Sequence, residues 1–162
     1  MLHLSQMDSP IGTLGIAESE IGLRRILFQN EYPFETSLKK YYPKEEINFV
    51  QTPAKEIQNQ IIAYFKGELK SFSLALDLKA PPFFKRALLE VSKIPFGQTA
   101  SYKEIAKKCG NPKAMRAVGS ANANNPIPLV IPCHRVLKHD GGLGGFGGGL
   151  EIKRFLLTLE RQ

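Results

Sequence analysis

The first third of the chain alternates apolar and polar positions in short runs separated by turn residues. Leu2–Met7, Thr13–Ala17 and Leu23–Phe28 each read as a strand, joined at Asp8-Ser9-Pro10 with Gly12 and at Ser19–Gly22. That pattern is a β-meander. A helix is expected over part of Phe34–Tyr42, and a stronger one from Thr52 as N-cap with Pro53 at its first position. Ile57, Ile61, Tyr64 and Phe65 recur at helical spacing and predict a core face. Phe72, Leu74, Leu76 and Leu78 alternate, predicting one more short strand. None of these residues carries visible chemistry, so the stretch reads as support.

After Ala80-Pro81-Pro82 the pattern turns helical. Phe83–Ser92 places Phe84, Ala87, Leu88 and Val91 on one face, and Pro95-Phe96-Gly97 breaks it. Ser101 and Glu104 have the spacing of a capping box opening a helix to Lys108. Cys109-Gly110-Asn111 stops that helix, and Asn111 with Pro112 recaps another that runs to Ala121. Helix, glycine turn, helix predicts a helix-turn-helix, with an ordinary helical hairpin as the alternative. The second helix shows Lys113 and Arg116 beside Ala114, Ala117, Gly119, Ser120 and Ala121. A major-groove reader would cluster Asn, Gln or Arg toward base edges. Small residues around one long arginine instead suit a close, sequence-indifferent approach with Arg116 entering the base stack or minor groove. A final amphipathic helix is expected to bury Ile152, Phe155, Leu156 and Leu159, with Glu160 near its end. The architecture predicted is α+β, with residues 1–80 as one domain and 81–162 as another.

Charge sharpens this division. The net charge is +7, yet residues 1–80 hold 9 Lys/Arg against 10 Asp/Glu while residues 81–162 hold 13 against 5. An excess confined to the second half points to a polyanion, most simply nucleic acid. Hydrophobic residues make up 43 % of the chain, enough for a packed core, and no apolar run approaches a membrane span. Met1-Leu2-His3-Leu4 has no basic region followed by an apolar one, so an intracellular, cytoplasmic protein is expected. The two cysteines, Cys109 and Cys133, form neither a disulfide framework nor a CxxC pair. With His134 and His139 they match no common zinc spacing, and neither metal nor cofactor is expected.

The chemistry concentrates in Ile131-Pro132-Cys133-His134-Arg135-Val136, approached through Pro128-Leu129-Val130. Cysteine is nucleophilic as the thiolate, a form that His134, Arg135 and Lys138 are expected to favour. Pro132 fixes its own φ and biases Ile131 toward an extended conformation, which stiffens the backbone under the nucleophile. A buried structural cysteine is the alternative. Downstream, residues 141–149 contain seven glycines in nine positions. That run lacks the Lys-Ser/Thr ending of a P-loop and reads as a pocket wall or a mobile linker.

Together these pieces resemble the O6-alkylguanine-DNA alkyltransferases, the suicide DNA-repair proteins. The resemblance rests on IPCHRV at 131–136, Asn125-Pro126-Ile127-Pro128, and residues 110–119 (GNPKAMRAVG). Pro95-Phe96-Gly97 with Ser101-Tyr102, and Gly148-Gly149-Leu150, Lys153 and Leu159-Glu160, also match. It covers nearly all of residues 81–162 but only the stretch around Ser9-Pro10-Ile11-Gly12 earlier on. The resemblance implies an antiparallel sheet of ribonuclease-H-like topology in a small N-terminal α/β domain, before a mainly helical domain. Cys133 would accept the alkyl group, His134 would act as base through a water, and Glu160 would orient its ring. Asn125 would hold the turn before the nucleophile. Tyr102 would help rotate the target nucleotide and protonate the departing guanine, with Arg116 filling the vacated stack.

Lys113, Ala114, Ala117, Ser120 and Arg135 would complete the DNA contacts. Carbonyls of Cys133 and Val136 would read the guanine amino group, and the Gly147 amide its oxygen. Pro128, Gly144 and Phe146 would line the pocket and admit adducts larger than methyl. Phe146 and Gly147 stand where many relatives have Tyr and several have Ser. The partner implied is duplex DNA bearing O6-alkylguanine, with O4-alkylthymine a candidate second substrate, met by a monomer away from any membrane. Three other readings compete: a non-catalytic sensor of alkylated DNA, a regulator with a structural Cys133, and a cysteine hydrolase. The first conflicts with the presence of Cys133, the second lacks a base-reading helix, and the third fits poorly with a basic half.

Overall fold

The computed structural model describes residues 1–161, which divide into two compact units, Met1–Leu78 and a second that begins at Lys79. In the first, strands β1 (Leu2–Met7), β2 (Leu14–Glu18) and β3 (Leu23–Leu27) form the expected antiparallel meander. A fourth strand, β4 (Ile47–Phe49), adds to β1 in parallel and gives the order β3-β2-β1-β4. Three residues with a polar centre leave no readable period, so the pattern did not predict it. Helix α1 (Phe34–Tyr41) drops Phe34 and Leu38 onto Leu2, Leu4, Ala17 and Leu27. Helix α2 (Lys55–Phe65) buries Ile57, Ile61 and Tyr64 as expected.

Two boundaries in this unit differ from the sequence reading. Helix α2 begins after Ala54, not at Thr52, because Ala54 stays extended and its amide donates to the Glu18 carboxylate at 3.1 Å. Residues 72–78 make one bridge, Leu23 with Leu76, instead of a strand. There Asp77 is buried beneath Arg24 at 2.8 Å and takes the Ser19 hydroxyl at 2.6 Å. Side-chain bonds to one carboxylate anchor this segment where a ladder was expected.

The second unit is mainly helical. Helix α3 (Pro82–Val91) buries Ala87, Leu88 and Val91 against α4 (Tyr102–Lys108) and α5 (Met115–Ala123). Strand β5 (Ala100–Ser101) precedes α4 and pairs in parallel with β6 (Val136–Leu137). The capping box forms as predicted: Ser101 Oγ accepts from the Glu104 amide at 3.1 Å, and Glu104 accepts from the Ser101 amide at 3.2 Å. Gly110, at φ +83°, makes the turn toward α5. That helix starts three residues later than expected. Asn111 forms a side-chain turn onto the Lys113 amide at 3.1 Å, leaving Lys113 and Ala114 outside the helix.

Helix α6 (Leu150–Glu160) overturns an expectation about its face. The buried positions are Lys153, Leu156, Leu157 and Glu160, while Phe155 is 41 % exposed. The spacing is helical, but two of the four inward residues are charged. Ala121, read as exposed, is also buried. Replacing Ser101 with Ala removes one half of the capping box, and a loss of about 1 kcal/mol is expected. Urea unfolding of the two proteins measures it.

Candidate active site

The segment before the nucleophile is held by its own polar groups. Asn125 Nδ2 donates to the Ile131 carbonyl at 2.9 Å, and its Oδ1 accepts from the Ile127 amide at 3.0 Å. Between them Leu129 adopts φ +73°, a conformation that L side chains rarely take. Pro132, at φ −80° and ψ 65°, closes a tight turn in which the Cys133 amide donates to Ile131 at 2.7 Å. Cys133, His134 and Arg135 then form a single 3₁₀ turn, and all three are buried. The pairing of β5 with β6 brings Ser101 beside Leu137, so Tyr102 enters α4 next to this segment.

Beneath the turn lies one buried carboxylate. Glu160 Oε2 is 2.6 Å from His134 Nε2 and accepts from Arg135 Nη2 at 3.0 Å. Its Oε1 accepts from Arg135 Nε at 2.7 Å and from the Gly97 amide at 3.4 Å. Arg135 Nη1 donates to the Ile94 carbonyl at 2.7 Å. Gly97 has φ +80°, and a Cβ there would lie 3.0 Å from the Glu160 carbonyl, so the 95–97 turn needs glycine. A carboxylate accepts only, so His134 Nε2 carries the proton and Nδ1 keeps its lone pair. Among the described residues Nδ1 has no hydrogen-bond partner. Burial holds the His134 pKa below its usual value, against the upward pull of Glu160.

Arg135 was expected among the DNA contacts. The structure corrects this: the guanidinium is buried, clamps Glu160 with two nitrogens and does not reach the surface. The expected effect of neighbouring cations on Cys133 is corrected as well. Burial pushes its thiol up to about 11; hydrogen bonding by Asn125, the charge of Lys153 and local amides oppose this only in part. The cation that acts is Lys153, not His134, Arg135 or Lys138. Lys153 is wholly buried, and its ammonium donates to Val136 at 2.8 Å, to Leu143 and to Gly145 at 3.5 Å. Burial lowers its pKa to about 8. One ammonium thus ties the glycine-rich loop to the strand that follows the nucleophile.

Between α5 and the glycine-rich loop opens a cleft of about 570 Å³. Tyr102, Met115, Arg116, Gly119 and Ala123 line its helical side, and Lys138, His139 and Gly144–Gly147 the other. Gly144 has φ +71°, and a Cβ on it would meet the Tyr102 hydroxyl at 2.7 Å; only glycine lets the loop close against that ring. Burial raises the Tyr102 pKa, with Asn122 opposing and Cys133 reinforcing. Of the residues assigned to a pocket from sequence, Gly144, Phe146 and Gly147 line the cleft, whereas Pro128 and Val136 are buried and do not. Lys113, Arg116 and Ser120 are exposed, and Ala114 and Ala117 half-buried. Sequence reasoning gave no site role to Lys153 or Asn122. Lys153 matched a motif, but nothing in a lysine predicts burial; Asn122 resembles any polar helix residue. Among the described residues no cluster of three or more His, Cys, Asp or Glu side chains forms a metal site.

Two family descriptions match this chain. "6-O-methylguanine DNA methyltransferase, ribonuclease-like domain" matches residues 2–78, and "6-O-methylguanine DNA methyltransferase, DNA binding domain" matches residues 82–162. A methylated-DNA–protein-cysteine methyltransferase of Methanosarcina acetivorans is 41% identical over 159 residues, covering 98% of either chain. The constitutive enzyme of that name from Bacillus subtilis is 38% identical over 99% of this chain and 96% of its own. The crystal structure of Mycobacterium tuberculosis OGT in complex with DNA superposes with a TM-score of 0.88 at 38% identity, covering 98% of this chain and 92% of that one.

Lys153 generates a pH signature. Its charge favours the Cys133 thiolate, and it is lost as pH rises through about 8. Alkylation of Cys133 by iodoacetamide is therefore expected to accelerate about tenfold per pH unit up to that point and less steeply beyond it. In Lys153→Met the rate at pH 7 is lower and the slope unbroken. Stopped-time mass spectrometry across pH 6–10 checks both; an unbroken slope in the unmodified protein would remove the field assigned to Lys153.

Glu160→Gln leaves Arg135 and His134 around an uncharged amide in a buried place. A loss of about 3–5 kcal/mol is expected, as for a buried pair broken on one side. Guanidinium unfolding of the two proteins measures it.

Proposed function

The chain belongs to the 6-O-methylguanine DNA methyltransferase family, and on that premise we propose how its own residues carry out the repair. It reverses damage directly, moving the alkyl group of O6-alkylguanine in duplex DNA onto its own cysteine. The observation that carries this reading is a buried Cys133-His134 turn, held by Glu160 and Arg135, beside a cleft walled by glycines.

The target atom lies inside a base stack, so the nucleotide is rotated out and into the cleft, at a cost of a few kcal/mol. Small residues at Ala114, Ala117 and Gly119 let the backbone come close, and Arg116 at the cleft edge takes the vacated space. Lys113 and Ser120 contact phosphates, so binding weakens with salt and is nearly indifferent to sequence. The Cys133 proton passes to Nδ1 of His134, through a water, while Glu160 holds the ring in the tautomer that can take it. Sulfur then attacks the alkyl carbon, the S–C bond forms and the C–O6 bond breaks. Guanine leaves as it gains a proton from the Tyr102 hydroxyl, and the proton held on His134 restores the balance.

The product is a thioether. No group in the site could expel it, so each molecule reacts once. The amide of Gly147 in the cleft wall selects guanine, and the open glycine wall admits adducts larger than methyl. Residues 1–80 serve as support, residues 81–162 as the alkyl-acceptor and DNA-binding part, and one copy suffices. No described helix is long and apolar enough to cross a membrane, and the reading assigns the protein to the cytoplasm, with its DNA.

The reaction is tested by intact mass after mixing with excess duplex carrying one O6-methylguanine. The expected result is a single added methyl, mapped to Cys133, with no second turnover. Tight binding without added mass would instead identify a damage sensor. O6-benzylguanine is expected to label the same residue; failure to label would restrict the cleft to small adducts.

A further inference from the structure

We propose that the first unit, beyond its support role, holds a binding site of its own: a cavity beside the end of β4 that takes a methylated ammonium ion. Strand β1 runs to Met7, but β4 pairs with it only as far as Leu4 opposite Phe49. The last bond on that side runs from the Val50 amide to the Leu4 carbonyl at 2.9 Å, and β1 then continues past its neighbour. A cavity of about 450 Å³ opens there, within the roughly 300–1,000 Å³ range of small-molecule sites. Tyr32, Phe34 and Phe49 supply its rings, and Gln6, Glu35 and Gln51 its polar groups. The Tyr32 and Phe34 rings meet edge to face, with centroids 5.4 Å apart at 87°, and so form a right-angled corner. Phe34 belongs to the core, whereas Tyr32 is 66% exposed and Phe49 62%. One exposed ring is ordinary; two on the wall of one cavity mark a ligand surface.

The charge of the wall selects the ligand. Glu35 is the one charged residue among those described around the cavity. Glu31, four residues earlier, is already engaged, accepting from the Phe28 amide at 2.9 Å and from the Tyr41 hydroxyl at 2.8 Å. Glu35 forms no hydrogen bond or ion pair among the described residues. An anion would find no cation in this wall. A metal ion would find a single carboxylate, and among the described residues no cluster of three His, Cys, Asp or Glu exists. An organic cation remains. Aromatic faces attract cations through the ring quadrupole. A bare ammonium is strongly hydrated and gains little by leaving water. A methylated ammonium carries its charge under apolar methyl groups, which pack against Tyr32 and Phe49 while Glu35 balances the charge.

The test titrates the full chain with choline chloride at an ionic strength held constant with sodium chloride, following the Tyr32 ring by NMR. The neutral isostere 3,3-dimethylbutanol controls for shape without charge. Choline is expected to shift the Tyr32 resonances to saturation, and the isostere to bind at least about tenfold more weakly. Glu35→Gln and Phe49→Leu are each expected to weaken choline about five- to tenfold. Both side chains are exposed, and thermal unfolding verifies that each variant is folded. The amide of N-acetyl-trimethyllysine, titrated alongside, separates the two sources of the group: tighter binding than choline assigns the site to a protein side chain, weaker binding to a free solute. Equal binding of the isostere, shifts that never saturate, or variants that bind choline as well as the unsubstituted protein would overturn the proposal. Methyl transfer to Cys133 is expected unchanged in both variants, so this site and the repair reading stand or fall separately.

Discussion

The second unit is organised around a single buried negative charge. Glu160, at the end of α6, accepts hydrogen bonds from the nucleophile turn, from Arg135 and from the 95–97 turn. Two stretches distant in sequence, the turn of residues 133–135 and the turn of residues 95–97, thus converge on one carboxylate. A charge taken this far from water is tolerable only when its lone pairs are filled, and here the Arg135 guanidinium, the neutral His134 ring and the Gly97 amide fill them. The arrangement also fixes chemistry. A carboxylate on Nε2 leaves Nδ1 of His134 as the basic nitrogen, and burial keeps the ring neutral.

That anion has a buried cationic counterpart on the same helix. Lys153 lies two turns before Glu160 on the inward face and gathers carbonyls from Val136, Leu143 and Gly145. A loop so rich in glycine has much conformational freedom to lose on ordering. The ammonium supplies a fixed point for it, and Gly144 permits closure against Tyr102. One helix therefore positions the base through its last turn and the pocket wall through its first half.

The resting thiol is not activated. Burial holds Cys133 near 11, far above neutral pH. For a protein that reacts once, a protonated and covered sulfur is an advantage, because stray alkylation or oxidation would waste the molecule. In the proposed reaction, reactivity comes from bound substrate, proton removal by His134 and protonation of the leaving group, acting together.

Much of this was legible in the chain. The meander, the helix-turn-helix, the capping box at Ser101 and the stiff Cys133-His134 segment follow from local pattern and turn chemistry, while the link to distant Glu160 came only with the family resemblance. Those signals are carried by residues near one another, or by a motif that survives without its context. The burial of Arg135, Lys153 and Asn122 and the exposure of Phe155 emerged only from the folded arrangement. Arg135 reads as a surface cation until Glu160 arrives from 25 residues away. Phe155 reads as core until Lys153 and Glu160 claim the inward face of α6. Periodicity assigns hydrophobic residues to the inside, and a charge belongs there only when a partner from elsewhere in the chain neutralises it. Local pattern therefore dictates which elements form and which residue attacks; the fold dictates which charges are buried, and so how that residue is governed.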